Sequence, residues 1–315
     1  ATPFHAPGTP ADRVREAHRA SLDKQARPQR PAVDYPAFRS LIEHVRSGGV
    51  DYVVVLGSTG EAATVTDQER TALIEMARRC AGDLPIVVGV GHQDTERTCD
   101  LARAAHDAGA DGLLVVTPFY NKPQPAGLIA HFQRVADEVP GMPIIAYNVP
   151  GRTGVNLDPS TLGRLWEIPQ IVAIKESSGD LRQISAMCEQ APVGKHVIAG
   201  DDDLALPAIA VGARGLISVC ANVAPMQTAA MVERAMSSDL VGARHGLSRL
   251  TPLMSAMFVE TNPVPVKAGL AAIGIGTGMV RAPLAAAEPR TWSAVHEAVA
   301  GLELNQVRGL AGAAS

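Results

Sequence analysis

The stretch Ile171-Val-Ala-Ile-Lys175 joins four apolar residues to a terminal lysine, and it belongs to a series of similar short runs. The others span residues 52–57, 85–89, 112–117, 143–148, 196–200 and 215–219. Continuous apolar runs rich in β-branched residues are typical of parallel strands that are buried on both faces. We therefore predict seven parallel strands, with Lys175 at the end of the fifth.

The segments between these runs have helical periodicity, as in residues 67–81, 95–108 and 127–138. Each step from one strand to the next takes roughly 25–30 residues, the length of a βαβ unit. The pattern predicts an α/β fold, specifically a (β/α)8 TIM barrel with one strand poorly marked. A doubly wound sheet is the alternative, and it is disfavoured because no G-x-G-x-x-G follows the first run.

Three parts of the chain are predicted from this pattern. Residues 33–224 form the barrel, and residues 225–315, where the strand pattern stops, form a helical C-terminal domain. Residues 1–32 form an atypical extension or insert rich in Pro, Arg and Ala. Thr9 and Pro10 suit the start of a helix, which we predict over residues 9–24.

The composition excludes several classes of function. Hydrophobic residues make up 46% of the 315 residues and charged residues 19%, so the chain can bury a large core. A net charge of −4 gives no basic surface for nucleic acid, and no apolar run is long enough to span a membrane. The four cysteines form no Cys-x-x-Cys pair, which indicates neither zinc nor disulfides. With no apolar signal segment visible, we expect a reduced, cytoplasmic protein.

Residues able to do chemistry are concentrated directly after the predicted strands. They occur in Gly57-Ser-Thr-Gly-Glu61, Thr117-Pro-Phe-Tyr-Asn121, Tyr147-Asn-Val-Pro-Gly-Arg-Thr-Gly154, Lys175-Glu176 and Gly200-Asp-Asp-Asp203. The carboxyl ends of the strands form the catalytic face of a parallel barrel. We therefore expect these segments to surround one site.

Lys175 is the candidate nucleophile of this site. Its apolar flanks disfavour the charged ammonium, and a neutral amine can attack a ketone to form an imine that acts as an electron sink. The alternative is a strand-end lysine that is solvated or paired with an acidic residue. The other polar segments expected on the same face favour the imine.

The neighbouring segments supply groups that suit an α-keto acid. Ser58 and Thr59 place two hydroxyls in a glycine-flanked turn that fits a carboxylate or, alternatively, caps the next helix. Tyr147 can act as a general acid or base, or it is a core tyrosine bonded to a carbonyl. Arg152 can bind a second carboxylate through two parallel hydrogen bonds, or it is an exposed arginine.

Metal binding is not predicted. For the run Asp201-Asp-Asp203 we favour helix capping and hydrogen bonding over a metal site. The histidines are scattered, and none has a ligand spacing such as H-x-x-x-H. We expect no cofactor.

Several of these segments, in the same order, resemble the dihydrodipicolinate synthase family. The resemblance also includes Gly215-Leu-Ile-Ser-Val219 and Phe258-Val-Glu-Thr-Asn-Pro-Val-Pro-Val-Lys267, and it extends approximately from Val33 to Pro283. It implies a class I Schiff-base lyase on a (β/α)8 barrel with a helical C-terminal domain. Such an enzyme condenses pyruvate with L-aspartate 4-semialdehyde to 4-hydroxy-tetrahydrodipicolinate, in lysine and diaminopimelate biosynthesis. The resemblance also implies a homotetramer built as a dimer of dimers.

The resemblance implies four catalytic residues. Lys175 forms the imine with pyruvate, and Tyr147 is the central proton relay, linked through Ser58 to Tyr120. In the family, the residue matching Tyr120 reaches into the site of the neighbouring subunit.

Four further residues are implied to bind substrate. Thr59, together with Ser58, holds the carboxylate of pyruvate, and Arg152 holds the carboxylate of the semialdehyde. Gly200 and Ile217 contribute backbone contacts.

Two alternative functions are open at this point. Aldolases for 2-keto-3-deoxy sugar acids and N-acetylneuraminate lyase resemble this family in barrel and lysine, and the Ser58-Thr59 pair, where the synthases usually have Thr-Thr, also occurs among the aldolases. Arg152 in its Val-Pro-Gly-Arg-Thr-Gly turn favours the synthase. A barrel that has lost catalysis and serves as a binding or scaffold protein is the second alternative.

The first barrel strand is truncated or atypical, and it motivates that second alternative. Only Ala1-Thr-Pro-Phe4 is similar to it, and residues 5–31 then intervene where the family passes quickly to the equivalent of Val33. An open barrel would expose unpaired strand edges. An insert at this place would lie on the catalytic face as a lid or a subunit contact, or it is a floppy extension.

The residues at the family's regulatory cleft predict weak or absent inhibition by lysine. Family members that are inhibited bind lysine at the tight-dimer interface, and the matching positions here are Asp67, Arg70, Gln93, Arg97 and Phe119. A cationic Arg97 in place of a carboxylate repels the ammonium of lysine.

Overall fold

A computed structural model of the chain describes residues 30–302. The described residues from Asp34 onward belong to one compact unit. The helix predicted over residues 9–24, the strand remnant at residues 1–4 and nearly all of the predicted insert lie outside the described residues.

Within residues 30–302, six parallel strands form one sheet whose spatial order follows the chain order, β1 to β6. Their bounds are Val53–Val55 (β1), Ile86–Gly89 (β2), Gly112–Val116 (β3), Ile144–Asn148 (β4), Ile171–Glu176 (β5) and His196–Ala199 (β6). Each overlaps one of the apolar runs in the sequence. The predicted α/β class with a parallel sheet is therefore confirmed.

Helices connect the strands and continue after the last of them. They are Tyr35–Ser47 (α1), Asp67–Cys80 (α2), Thr95–Asp107 (α3), Pro125–Glu138 (α4), Pro150–Thr153 (α5), Pro159–Leu165 (α6), Leu181–Gln190 (α7), Ala205–Ala210 (α8), Pro225–Met236 (α9), Leu240–Ala256 (α10), Val264–Ala272 (α11) and Pro289–Gly301 (α12). Short 3₁₀ turns occupy Ser58–Gly60, Ala62–Thr64 and Cys220–Asn222. The helices predicted over residues 67–81, 95–108 and 127–138 are confirmed as α2, α3 and α4.

Side-chain caps fix where several of these helices begin. The hydroxyl of Thr66 accepts from the backbone N–H of Glu69, and the Glu69 carboxylate accepts from the backbone N–H of Thr66, which together form a capping box for α2. Asp94 and Asp180 accept from backbone N–H groups at the starts of α3 and α7. Each such cap stabilises its helix by about 1 kcal/mol.

The sheet is apolar on both faces, as the continuous runs predict. Ile144 and Ala146 are fully buried on one face of β4, whereas Ile145 and Tyr147 alternate to the other. On that second face a cluster joins Tyr147 to its apolar neighbours Val87, Leu114, Ile145, Val149, Ala173 and Ile217. Lys175 lies two residues after Ala173, so it shares this face with Tyr147.

The seventh predicted strand, at residues 215–219, is reduced to a single bridge. Leu216 pairs in parallel with Ala199, and the backbone N–H of Ile217 donates to the carbonyl of Ala199 at 2.9 Å. Gly215 has a φ of +152°, which departs from strand geometry and limits the ladder with β6. The direction of the run was predicted correctly, but its length as a strand was wrong.

Helices α9 to α12 pack around a core of their own residues and of residues just after β6. Met231, Leu253, Met257, Val266 and Val295 are among its buried members. Within residues 30–302, no helix is long and apolar enough to cross a membrane.

We predict that Gly89→Ala destabilises the fold by about 3 kcal/mol, because an added Cβ overpacks a fixed backbone atom. Gly89 ends β2, and its Cβ would lie 2.1 Å from the carbonyl oxygen of Leu56, at the start of the turn after β1. Urea unfolding measures the change. Gly301→Ala is the control, since nothing lies within 4 Å of its added Cβ. Unchanged stability of Gly89→Ala would mean that Leu56 moves aside at no cost.

Candidate active site

Lys175 and Tyr147 meet at the carboxyl ends of two neighbouring strands. They are direct partners in the ladder between β4 and β5. The Nζ atom of Lys175 lies 4.4 Å from the centroid of the Tyr147 ring. Lys175 is only 8% exposed, and no salt bridge to it is found within the described residues. The alternative of a solvated or ion-paired lysine therefore does not hold in residues 30–302.

Because Gly200 has no side chain, the side chain of Lys175 can occupy the space beside it. Its backbone N–H donates to the carbonyl of Glu176 at 2.8 Å, which places it beside the end of β5. A Cβ at this position would lie 1.9 Å from Ser177 Oγ and 2.8 Å from Lys175 Cε. Only glycine fits there without displacing the lysine.

The next ladder pair, Asn148 and Glu176, faces away from Lys175 and Tyr147. Asn148 Nδ2 donates to Glu176 Oε2 at 2.9 Å, and the Ser178 N–H and Gln183 Nε2 donate to Oε1 at 2.8 and 3.2 Å. Glu176 is 1% exposed, and this burial raises the pKa of its carboxyl although the hydrogen bonds act in the opposite direction. This hydrogen-bonded pair supports the register that places Lys175 opposite Tyr147.

The segment after β1 carries Ser58 and Thr59 in the first of two 3₁₀ turns. Thr59 Oγ1 accepts from Asn262 Nδ2 at 2.8 Å, although the two residues are far apart in the sequence. Ser58 is exposed, and within residues 30–302 no hydrogen bond joins its hydroxyl to that of Tyr147 or Tyr120. The structure therefore places Thr59 in hydrogen-bond contact with Asn262. In the described chain, no hydrogen bonds connect Tyr147, Ser58 and Tyr120 as the predicted proton relay requires.

Arg152 lies on the short helix α5, directly after β4. It is an exposed residue whose Nη2 donates to the backbone carbonyl of Asn262 at 3.4 Å. Asn262 thus touches both Thr59 and Arg152, the residues predicted for the two substrate carboxylates.

Asn262 is a residue of this site that sequence reasoning missed. It is 5% exposed, and its Oδ1 is a buried atom without a hydrogen-bond partner among the described residues. Asn-Pro is a turn signal, so the sequence indicates a link between helices at this point rather than a site residue. The available indication was the place of Asn262 in Phe258–Lys267, a stretch that carries the family resemblance.

Tyr120 points away from the rest of the described chain. It is 84% exposed, and its φ of +69° is a left-handed conformation that is uncommon for an aromatic residue. Its backbone N–H donates to the carbonyl of Thr153 at 3.4 Å, so the loop after β3 rests on the turn that holds Arg152. The structure does not bring Tyr120 into contact with Tyr147.

The acidic run after β6 forms hydrogen bonds, as predicted, but the predicted helix capping is wrong, because the N-cap of α8 is Leu204, which makes no side-chain cap. The buried Asp202 accepts from the hydroxyl of Ser218 and, at 3.0 Å each, from the backbone N–H groups of Val219 and Cys220. These bonds hold the segment that follows Ile217. Burial raises the pKa of Asp201, and the nearby Asp203 adds to that effect while Lys175 opposes it. In the described part of the chain, no cluster of His, Cys, Asp and Glu could hold a metal.

Comparison with known proteins agrees with this geometry. The model of the dihydrodipicolinate synthetase family matches residues 25–301. The 4-hydroxy-tetrahydrodipicolinate synthase of Methanothrix thermoacetophila is 45% identical over 255 residues, which cover 81% of this chain and 86% of that protein.

Solved structures are similar over the same region. Dihydrodipicolinate synthase from Aquifex aeolicus superimposes with a TM-score of 0.84 at 38% identity, covering 87% of this chain and 94% of that one. The enzyme from Acinetobacter baumannii, solved in complex with pyruvate, gives a TM-score of 0.84 at 36% identity, covering 86% and 94%. The chain therefore belongs to the dihydrodipicolinate synthetase family.

Proposed function

We propose that this chain is a Schiff-base lyase that condenses pyruvate with L-aspartate 4-semialdehyde to 4-hydroxy-tetrahydrodipicolinate, a step of lysine and diaminopimelate biosynthesis. One observation carries the proposal: a buried lysine without a carboxylate partner in the described chain lies 4.4 Å from a tyrosine ring, at the ends of parallel strands. The pyruvate complex of the Acinetobacter baumannii relative supports the donor substrate.

The reaction begins when Lys175 Nζ adds to C2 of pyruvate and water leaves, which forms the imine. Loss of a proton from C3 then gives an enamine, because the imine accepts the electron pair. C3 attacks the aldehyde carbon of the semialdehyde, which forms the new C–C bond and restores the imine, while the C=O π bond opens and the aldehyde oxygen takes up a proton to become the hydroxyl group. The amino group of the acceptor finally replaces Lys175 at C2, which closes the ring and restores the free lysine.

Ser58 and Thr59 hold the carboxylate of pyruvate in this proposal, and Arg152 holds that of the semialdehyde. The contact of Asn262 with both Thr59 and Arg152 supports the assignment, since it links the two binding positions through one side chain. Gly200 and Ile217 offer backbone groups beside Lys175. No cofactor is needed, because the lysine itself supplies the electron sink.

Proton transfer is assigned to Tyr147, with Ser58 and Tyr120 completing the relay. We propose that Tyr120 comes from a neighbouring subunit, in a homotetramer built as a dimer of dimers. An exposed tyrosine held at a φ of +69° supports this, because a strained residue at a site usually has a functional reason. The contact would bury the ring and offset the strain.

The sheet order supports the full (β/α)8 barrel, in which the strand near the amino terminus and the run at residues 215–219 complete the eight. The parts 1–32, 33–224 and 225–315 are proposed as extension, barrel and helical C-terminal domain. The four cysteines are free, which supports a reducing, cytoplasmic location.

We predict that borohydride reduction in the presence of pyruvate traps one adduct, which peptide mapping places on Lys175. Lys175→Met, which lacks the amine, is expected to give no adduct. An assay with L-aspartate 4-semialdehyde and one with 2-keto-3-deoxygluconate then identify the acceptor. A folded wild-type chain that is not trapped would exclude imine chemistry and favour a scaffold, whereas turnover of only the sugar acid would favour an aldolase.

Gly200→Ala is expected to slow imine formation about 100-fold, since a displacement of the lysine by roughly 1 Å has an effect of this size. The rate of borohydride trapping at fixed pyruvate measures it. Gly163→Ala is the matched control, because the atom nearest to its added Cβ lies at 3.7 Å. Trapping of Gly200→Ala at the wild-type rate would show that Lys175 has an equally productive second position.

Lysine is expected to inhibit this enzyme weakly or not at all. The Arg97 guanidinium forms an ion pair with Asp67, so a cation already occupies this position of the family's regulatory cleft. Arg70 is also committed, because it donates to the carbonyl of Ala62 at 2.6 Å. Activity measured against increasing lysine tests this expectation. If millimolar lysine halves the activity, the inference from Arg97 is wrong.

A further inference from the structure

Glu61 is a buried acidic residue that directly follows the turn carrying Ser58 and Thr59. It is 8% exposed, and it adopts a φ of +50° between the two 3₁₀ turns Ser58–Gly60 and Ala62–Thr64. A buried carboxylate is costly unless it is paired, and a left-handed glutamate adds backbone strain. Both costs indicate that surrounding groups fix this residue in place.

Those groups come from the C-terminal part of the described chain. The Glu61 carboxylate forms an ion pair with Lys267 Nζ and accepts from the backbone N–H of Arg281 at 2.9 Å. Lys267 Nζ also donates to the carbonyl of Met279 at 3.0 Å, so the lysine bridges the loop and the segment around Arg281.

The end of the second turn is held in the same way. The Arg281 guanidinium donates to the carbonyl of Thr64 at 3.0 Å and to both oxygens of Glu69, at 2.8 and 2.6 Å. Hydrogen bonding to Arg281 lowers the pKa of Glu69 to about 2. Two parallel bonds between a guanidinium and a carboxylate are strong and directional. We call Glu61, Glu69, Lys267 and Arg281 the loop cluster.

Asn262 and Lys267 reach the loop from neighbouring positions. Asn262 precedes α11 (Val264–Ala272) and contacts Thr59, whereas Lys267 lies within α11 and contacts Glu61. One short segment thus holds the loop at two points that flank Gly60. Movement of α11 would therefore displace the hydroxyls of Ser58 and Thr59 together.

We infer that the ion pair of Lys267 with Glu61 is a positioning device for the pyruvate carboxylate, an inference that rests on the proposed function. Neither residue touches the substrate. Lys267 fixes Glu61, Glu61 fixes the end of the first turn, and that turn presents its two hydroxyls to the carboxylate. Loss of the pair weakens pyruvate binding before imine formation but leaves Lys175 and Tyr147 in place.

The test compares Lys267→Met with the wild-type enzyme. The KM for pyruvate is expected to rise about tenfold while kcat changes less than about threefold, since the lost interaction acts on binding rather than on the chemical step. The KM for the semialdehyde should change much less. Lys267→Arg, which keeps the cation, is expected to recover most of the pyruvate affinity.

Arg103→Met is the matched control. It removes an exposed arginine of α3 that pairs with Asp100 on the same helix and with Glu138 on α4, away from the loop. Both kinetic constants should stay at the wild-type values. Melting temperatures recorded for each variant separate a loss of stability from a loss of positioning, because a purely structural pair would lower the melting temperature and leave the KM for pyruvate unchanged.

A pyruvate KM of folded Lys267→Met within twofold of the wild-type value would overturn the inference. If that variant does not fold, the double variant Glu61→Gln/Lys267→Met removes the uncompensated charge and is measured instead. A raised pyruvate KM in the double variant supports the positioning role, and a wild-type KM refutes it. Borohydride trapping of the wild-type enzyme tests the proposed function separately, because the adduct does not depend on the positioning role of Lys267. An adduct together with an unchanged pyruvate KM in the variant would refute the positioning role alone.

Discussion

The hydrogen bond between Asn148 and Glu176 fixes the register in which β4 and β5 meet, and the site depends on that register. Side chains alternate between the faces of a strand, so a slip of β5 by one residue against β4 would turn Lys175 away from Tyr147 and bring Glu176 onto the face of Tyr147. Such a slip would also bury an unpaired carboxylate among apolar groups, which is costly. The polar pair on the outer face therefore specifies the position of the reactive pair on the inner face.

The same alternation keeps a carboxylate away from the lysine although the two residues are adjacent in the sequence. The three donors Asn148 Nδ2, Ser178 N–H and Gln183 Nε2 satisfy Glu176 on its own face. A carboxylate within ion-pair distance of Lys175 would instead stabilise the ammonium, which cannot attack a ketone. The sequence Ile174-Lys-Glu176 thus places an amine and a carboxyl group at adjacent positions, and the alternation of side chains puts them on opposite faces of the strand.

The sequence predicts most of the strands, and the place of Lys175 at the end of one of them, for a local reason. Buried parallel strands are continuous apolar runs, so their positions and order follow from short stretches of sequence, and Lys175 is visible as a charge at the end of one run. Residues 215–219 contain the same type of run, but Gly215 leaves strand geometry and only one bridge forms. A pattern of residue types indicates which residues are buried, but it does not indicate the residue at which the hydrogen bonding between two strands ends.

Asn262, Lys267 and Arg281 were not predictable in this way, because their partners are more than 200 positions away in the chain. No periodicity relates them to Thr59 or Glu61. Asn262 and Lys267 lie in the stretch Phe258–Lys267 that resembles the family, but the physical content of that stretch, an amide and a lysine that hold one loop from one short segment, appears only in the fold.

The parts of the site that we assign to the two substrates differ in how firmly their residues are held. In the proposed reaction, the imine carbon of pyruvate must meet an amine whose position the sheet fixes, and the pyruvate carboxylate is assigned to a loop that no ladder supports and that distant charges hold. Arg152, which we assign to the acceptor, is exposed and touches the described chain through a long backbone contact to Asn262 at 3.4 Å. An exposed arginine with four rotatable bonds can follow an acceptor of variable shape, while a paired, buried Glu61 cannot move without losing its partners. Under this proposal, the part of the site assigned to pyruvate is the more firmly held part, and we expect a change in acceptor specificity to require change around Arg152 rather than around Lys175.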